Sequence, residues 1–437
     1  MTEPCQRLTS ILRSFQRAVL PLAVICVLPG LAVKPTQAQT FSVIHYFTGG
    51  PDGNYPGATM ILDRAGKLYG TTVMGGIQNQ NCVEGGCGVV FRMSGSGSNW
   101  VLNPLFSFPG NPSLGITPAA PLTFGPDGAL YGTTQGGPAC FEGCGVVFRL
   151  APPLNSCHTV LCPWSETVIY TFHGGTDGIE PQSSGVVFDP AGNMYGTTAL
   201  GGANGKGVVY KLTRNGSQWV ESILYNFNGA GDGSNPLAGV ILDSVGNLYG
   251  TTQMGGDLSC DFSQGCGTVF ELSPSGSGWT ENTIYTFEST SDVGTNPIAG
   301  LVFDTSGNLY GSAGYRSGQV DAAVWGLQHA NGGWTPSVLT YLLGNGGPNS
   351  ALTIDAQGNL YGTTEAGGAH FEGSVFKLSP QNGAWTYTDL HDFHIDDGWR
   401  PVGGVTLAAD GTLYGTAAQG GTGSCFNGCG VVWQITP

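Results

Sequence analysis

The chain has 437 residues, 74 of them glycine, and only 10% Asp, Glu, Lys and Arg. A charge-poor, turn-rich composition leaves few amphipathic helices, so it argues against a helical bundle and for an all-β protein. The formal net charge of −15 argues against nucleic acid or an anionic membrane surface as the partner.

The first forty residues differ from the rest. Arg7, Arg13 and Arg17 precede the apolar run "AVLPLAVICVLPGLAV". "KPTQAQT" follows, with Thr36 and Ala38 at small-residue positions. The pattern predicts a secretory signal peptide over residues 1–38, cut after Ala38. A membrane anchor is the competing reading, but Pro21 and Pro29 interrupt a run already short for a span. Cys26 follows Ile25, a poor residue before a lipid-modified cysteine. Losing residues 1–38 removes four basic residues and one acidic one, which leaves 10 − 28 = −18. On an exported protein such acidity serves solubility.

The remaining chain, 39–437, opens with "FSVIHYF", Phe41–Phe47, and then repeats one short phrase. It reads "GKLYGTT" from Gly66, "GALYGTT" from Gly128, "GNMYGTT" from Gly192 and "GNLYGTT" from Gly246. It returns as "GNLYGSA" from Gly307, "GNLYGTT" from Gly358 and "GTLYGTA" from Gly411. The phrase tyrosines, Tyr69, Tyr131, Tyr195, Tyr249, Tyr310, Tyr361 and Tyr414, are spaced by 62, 64, 54, 61, 51 and 53 residues. Periods of this size signal a propeller or a solenoid.

The unit Ser183–Phe227 shows what repeats. "GVVFD" is a short β-rich run, and "DPAG" has the residue preferences of a type I turn. "NMYGTT" is a second strand, "GVVYKL" a third after a Gly-rich loop, and "WVESILYNF" a fourth after "NGSQW". Four antiparallel strands per repeat is a propeller blade. A solenoid of such units would leave open end strands. Here the ends complement each other. "FSVIHYF" matches a fourth strand, and the chain stops at "GVVWQITP", a third strand. The expected fold is therefore a single all-β domain over 39–437. It is a seven-bladed propeller closed by strand 41–47 joining the C-terminal blade. The phrase is then the second strand of each blade. Its Tyr is expected to pack between blades, and the Gly after it to let neighbouring sheets approach.

The pattern "GNLYGTT…GG…GVVFxL" resembles the GloVer-type extracellular tandem repeat of bacterial secreted proteins, over nearly all of residues 39–437. The resemblance implies export and often a C-terminal sorting anchor, and it implies no established activity. This chain reaches Pro437 directly after a blade strand, so free secretion, the periplasm or the cell surface is expected without such an anchor.

Beyond Cys5 and Cys26, ten cysteines fall in close pairs: Cys82/Cys87, Cys140/Cys144, Cys157/Cys162, Cys260/Cys266 and Cys425/Cys429. An even set of local pairs in an exported chain predicts disulfides. Metal binding would need a second nearby pair or His partners, which the spacing lacks. Cys157/Cys162 falls in a loop of the opposite face and reads as structural.

Function is expected on the face carrying the two longer loop types, from strand four to the next strand one and from strand two to strand three. The first type holds "GGPDGNYP", "GGTDGIEP", "GAGDGSNP", "STSDVGTNP" and "HIDDGWRP", with Asp52, Asp177, Asp232, Asp292 and Asp397. These five can be read as an acidic or calcium-binding ring or as turn caps. The second type holds four of the cysteine pairs, with Phe141, Phe262 and Phe426 inside them. An aromatic in a stapled loop can stack on a sugar or clamp a partner, or pack on its disulfide. "HDFHIDDGWRP" adds His391, His394, Trp399 and Arg400. The two histidines should diverge along a strand, which weakens a shared metal site.

No G-x-S-x-G, H-E-x-x-H or phosphate-binding loop occurs. The expectation is a monomeric, non-catalytic propeller that recognises an extracellular glycan or protein through these loops. The alternative is a calcium-dependent propeller enzyme of lactonase or glycan-lyase type. The first-strand starts, "GATM", "AAPL", "SSGV", "LAGV", "IAGL", "NSAL" and "VGGV", are small and mostly apolar, so a channel metal would need loop ligands. A pure matrix role is a third possibility, and fold alone does not choose among them.

Overall fold

The computed structural model describes residues 39–437 apart from 79–81, 83–84, 138–143, 154–163, 182–184, 261–262, 291, 315–321, 331 and 343–346. Gln39–Pro437 form one compact unit. Seven four-stranded antiparallel sheets make up a seven-bladed β-propeller, with no α-helix among the described residues. In each blade the first strand is only two residues long, such as Val187–Phe188, and the second is five, such as Met194–Thr198. The third and fourth strands are longer and carry the outer half of the blade, as Val208–Asn215 and Gln218–Asn226 do in blade three.

The ring closes as the sequence predicts. Thr40–Tyr46 pairs antiparallel with Val431–Thr436, from Thr40↔Thr436 to Tyr46↔Val431. Phe47 adds a backbone bond to Gly430 at 3.0 Å. The closing strand even carries the bulge of the other fourth strands, between Val43 and His45, where blade three breaks register beside Val209 and Tyr210. Sharing one blade between the two ends of the unit completes the seventh four-stranded sheet, so the ring closes with no partial blade.

Blade four shows why the phrase recurs. Asn247 donates from its backbone and its side-chain amide to Asp243, both at 2.9 Å, which fixes the turn into the strand. Gly246 takes φ +94°, open to glycine at no steric cost. Leu248 is fully buried. The Tyr249 hydroxyl donates to Glu271 at 2.8 Å. Its ring meets Phe303 and Trp334 of blade five edge-on at 5.1 and 6.2 Å. The expected packing of this tyrosine between blades therefore holds, and Tyr69, Tyr195 and Tyr310 meet Trp164, Trp279 and Trp385 likewise. Thr251 donates across to Ala299 of blade five at 3.1 Å, while Thr252 donates to Met254 and starts the next loop. Thr197 to Ala238, Thr363 to Gly403 and Thr416 to Ala58 repeat the blade-to-blade bond, the last of them across the closure.

The glycine after the tyrosine has a different reason from the expected one. Gly250 lies opposite Phe270 within its own sheet, and a Cβ there would stand 2.5 Å from the ring Cζ. Gly70, Gly132, Gly311, Gly362 and Gly415 face Phe91, Phe148, Trp325, Phe376 and Trp433 in the same way. The glycine makes room for a cross-strand ring and not for the neighbouring sheet. Close approach between blades falls on another glycine. Gly88, Gly207, Gly267 and Gly373 abut Pro118, Pro236, Pro297 and Pro401 of the next blade.

Disulfides join Cys82–Cys87, Cys260–Cys266 and Cys425–Cys429. Cys144 is also disulfide-bonded. Cys140, Cys157 and Cys162 lie outside the described residues.

Candidate functional site

In five blades the two long-loop types brace each other. Asn54 pairs with Met74, Ile116 with Gly136, Ser234 with Met254 and Trp399 with Gln419, and in blade three Gly178–Ile179 pairs with Leu200–Gly201. Loops held this way present their side chains from a fixed backbone. No helix among the described residues is long and apolar enough to cross a membrane.

The acidic residues of these loops bond within their own turns. Asp52 accepts from the Thr48 amide at 2.9 Å and lies 3.2 Å from His45 Nε2. Asp177 accepts from the His173 and Gly178 amides at 2.8 and 2.7 Å and from the Tyr170 hydroxyl. Asp232 is buried and accepts from Tyr225 and from the Asn228 amide at 2.8 and 2.9 Å. Asp397 accepts from the His394 amide at 2.8 Å, with His391 Nε2 at 3.1 Å. Asp292 is exposed. None of the five lines the central channel. In the blade-seven patch the histidines part. His391 stacks on Phe41 at 3.5 Å, while His394 faces Asp396 and His370. Among the described residues no group of three or more His, Cys, Asp or Glu could hold a metal ion.

The cysteine loops project apolar side chains. Phe426, inside Cys425–Cys429, is 92% exposed and so does not pack on its disulfide. Phe141 and Phe262 lie outside the described residues. A further aromatic went unread in the sequence. Phe371 of blade six is 75% exposed in a loop of the same kind that lacks cysteines. Its "FEG" matches the "FEG" of the Cys140 loop, which is the signal that could have found it. Ile77, Leu200 and Leu258 are exposed on the corresponding loops of blades one, three and four.

The channel mouth is the second feature that the sequence reading missed. Each first strand is entered through a proline, and in six blades the residue before it has positive φ: Tyr55, Thr117, Glu180, Asn235, Asn296 and Arg400, at φ +56° to +62°. A side chain there costs roughly 1–2 kcal/mol and is further disfavoured before proline. Two backbone bonds hold it. The Tyr55 amide donates to Cys429 of blade seven, and its carbonyl accepts from Val73 of its own blade. Thr117 does the same with Cys87 and Gln135, and Arg400 with Glu372 and Ala418. The position is thus clamped between two blades. The residue type also varies here, from Tyr to Thr, Glu, Asn and Arg. Sparsely populated backbone that survives because its surroundings fix it is a pointer to a functional position.

Below the mouth lies a cavity of about 560 Å³. Its wall is small and apolar, with Ala58, Ala119, Ala238, Gly300 and Ala351 contributed by five blades. Its polar end gathers Tyr55, Asn349, Glu365 and Arg400. Arg400 Nε donates to Glu365 Oε1 at 2.8 Å, its Nη2 reaches the same oxygen, and the Asn349 amide donates to Glu365 Oε2. The guanidinium and the carboxylate are thereby neutralised as a pair.

Carboxyls with raised pKa values sit elsewhere, on the outer strands. Burial pushes Glu166 and Glu221 up to about 7. Asp389 is raised to about 6 by burial and then by the charge of Asp392.

The repeat pattern has a counterpart among known families. The Gloeobacter/Verrucomicrobia repeat matches residues 161–340 and 261–437, together more than half of the chain. No curated protein matches. Among solved structures the chain is similar to a Thermus thermophilus protein proposed to be an oxidoreductase (glucose dehydrogenase). The two are 17% identical with a TM-score of 0.41, over 73% of this chain and 96% of that one. It is also similar to a protein of unknown function from Dyadobacter fermentans, at 10% identity and a TM-score of 0.39, over 91% and 98%. Neither likeness bears on what this chain binds or does. With its repeats matched over blades three to seven, the chain belongs to the Gloeobacter/Verrucomicrobia repeat family.

Proposed function

We propose that the protein is an exported, non-catalytic propeller that recognises an extracellular glycan or protein through its long-loop face. The observation that carries this reading is the recurrence of exposed apolar side chains, Phe371 and Phe426 above all, on the strand-two to strand-three loops of one face. Rigid aromatics in the open are a poor use of surface unless they meet a partner. Export after cleavage of residues 1–38 is part of the proposal, and loop disulfides fit an oxidising compartment.

The test is a panel of extracellular polysaccharides incubated with the exported protein in calcium, with retention and chain length read from one tube. Retention with intact polymer, weakened about tenfold by joint Phe371→Ala and Phe426→Ala substitution, is expected. Shortened polymer would replace this reading with a propeller enzyme. Loss of retention in the absence of calcium would make the loop aspartates ligands.

A further inference from the structure

The channel is not explained by recognition at the outer loops. It lies inside the ring, its wall is built from first-strand entries of all seven blades, and its charged pair, Glu365 and Arg400, sits at the long-loop end. At about 560 Å³ it falls within the roughly 300–1,000 Å³ of small-molecule sites. An apolar wall with a few convergent polar groups at one end suits a ligand with an apolar body and a polar head.

The chemistry of that head follows from the mouth. Arg400 cannot serve as a free cation, because Glu365 takes its Nε and its Nη2. Glu365 is in turn held by Asn349. The pair is neutral, and the chain as a whole carries −15, so an anionic head gains nothing there. What the mouth offers is fixed hydrogen-bonding capacity beside the Tyr55 ring. Hydroxyl or amide groups can use that capacity without disturbing the pair.

We propose that the central channel is a binding site for a small neutral amphiphile. Its aliphatic or aromatic body lies along the Ala119–Ala238–Ala351 wall, and its uncharged head is hydrogen-bonded at Tyr55, Asn349, Glu365 and Arg400. The wall has room because its residues are small. A larger side chain at Ala351 or Ala119, both only partly buried, would project into the void and not into a blade core. The site is separate from the outer loops and does not rest on the glycan or protein reading above.

The test uses the protein expressed from the full chain and recovered after export. N-phenyl-1-naphthylamine, a neutral fluorophore, is titrated in. It is then displaced with n-octyl β-glucoside below its micelle threshold, with octanoate and with glucose. Saturable binding of one fluorophore per chain is expected. Octyl glucoside should compete at least tenfold better than octanoate, and glucose should not compete.

Ala351→Phe should weaken fluorophore binding at least tenfold. Ala119→Phe serves the same purpose should the first variant lose its thermal transition. Arg400→Gly keeps the positive φ accessible and so should fold. It should weaken octyl glucoside about tenfold while leaving the fluorophore within twofold, which a merely structural role for Arg400 would not produce. Absence of saturable binding, or unchanged binding in the folded filling variants, would overturn the site. Equal competition by octanoate would overturn the neutral head. Phe371→Ala with Phe426→Ala should leave all of these values unchanged, and a loss there would move the site to the outer loops.

Discussion

Replacing Gly250 by Ala tests the account of the repeated phrase most directly. The added Cβ would stand 2.5 Å from Phe270 Cζ and 2.9 Å from its Cε1. Carbon atoms rest at roughly 3.5–4.0 Å, so the ring would have to retreat by about 1 Å. Phe270 is fully buried, and Phe227 packs edge-on against it at 5.1 Å. Displacing a ring in such a core costs roughly 1–3 kcal/mol. The loss of glycine from the unfolded chain returns about 0.4–1 kcal/mol. The net expectation is destabilisation of about 1–2 kcal/mol, read as a lowered urea midpoint at unchanged slope.

Two further glycines separate the causes. Gly278 has ordinary φ and its nearest neighbour stands 4.0 Å from the added Cβ, so Gly278→Ala should change stability by less than about 0.5 kcal/mol. Gly246 has open space but φ +94°, so Gly246→Ala should cost about 1–2 kcal/mol through the backbone alone. Phe270→Leu should rescue Gly250→Ala by at least about 1 kcal/mol in a double-mutant cycle and should not rescue Gly246→Ala. If Gly250→Ala behaved like Gly278→Ala, or showed no coupling to Phe270, the ring would not be the reason for the glycine.

Glu166, raised by burial from 4.5 to about 7, binds a proton more tightly folded than unfolded. Its contribution to stability therefore falls as pH climbs from about 4.5 through 7. The shift would amount to about 3 kcal/mol if fully buried, and solvent screening reduces it to about 1 kcal/mol. Glu166→Gln should thus stabilise by that amount at pH 8 and by almost nothing near pH 4.5, and equal gains at both would contradict the cause. Removing Cys425–Cys429 with two alanines should cost about 2 kcal/mol on the loop-entropy scale. It should also speed proteolysis at the exposed Phe426 loop, measured by the mass of the first fragments. Tyr361→Phe removes one of four donors to Asp355 and should cost about 0.5–1.5 kcal/mol. Asp355→Ala strands all four and should cost more in calorimetry.

The blade pattern was legible because local rules set it. Asp, Gly and Asn at fixed offsets dictate the turn into each second strand, and alternation dictates which residues face the core. The complementary ends, Phe41–Phe47 and "GVVWQITP", made closure readable without coordinates. The role of the glycine in "YG" was not readable. Opposition to Phe270 depends on cross-strand register, which a single strand does not encode. The five loop aspartates were visible as a set, yet the set gave no direction for their carboxylates. Only the return of four of these loops onto their own fourth strands, as Asp232 onto Tyr225, decided that.

The mouth shows the same division most sharply. The sequence by itself determined seven repeats, a proline at each blade entry, an apolar first strand and an acidic surface. That these prolines seat on a glycine of the preceding blade, as Pro297 does on Gly267, required the ring. So did the positive φ of the residue before them, because its amide bonds to one blade and its carbonyl to another. Tyr55 and Arg400 hold the same place in blades one and seven, at opposite ends of the unit, and Asn349 and Glu365 come from two loops of blade six. They meet because seven equivalent entries point at one axis, and a convergence of that kind belongs to the closed ring and to no single repeat.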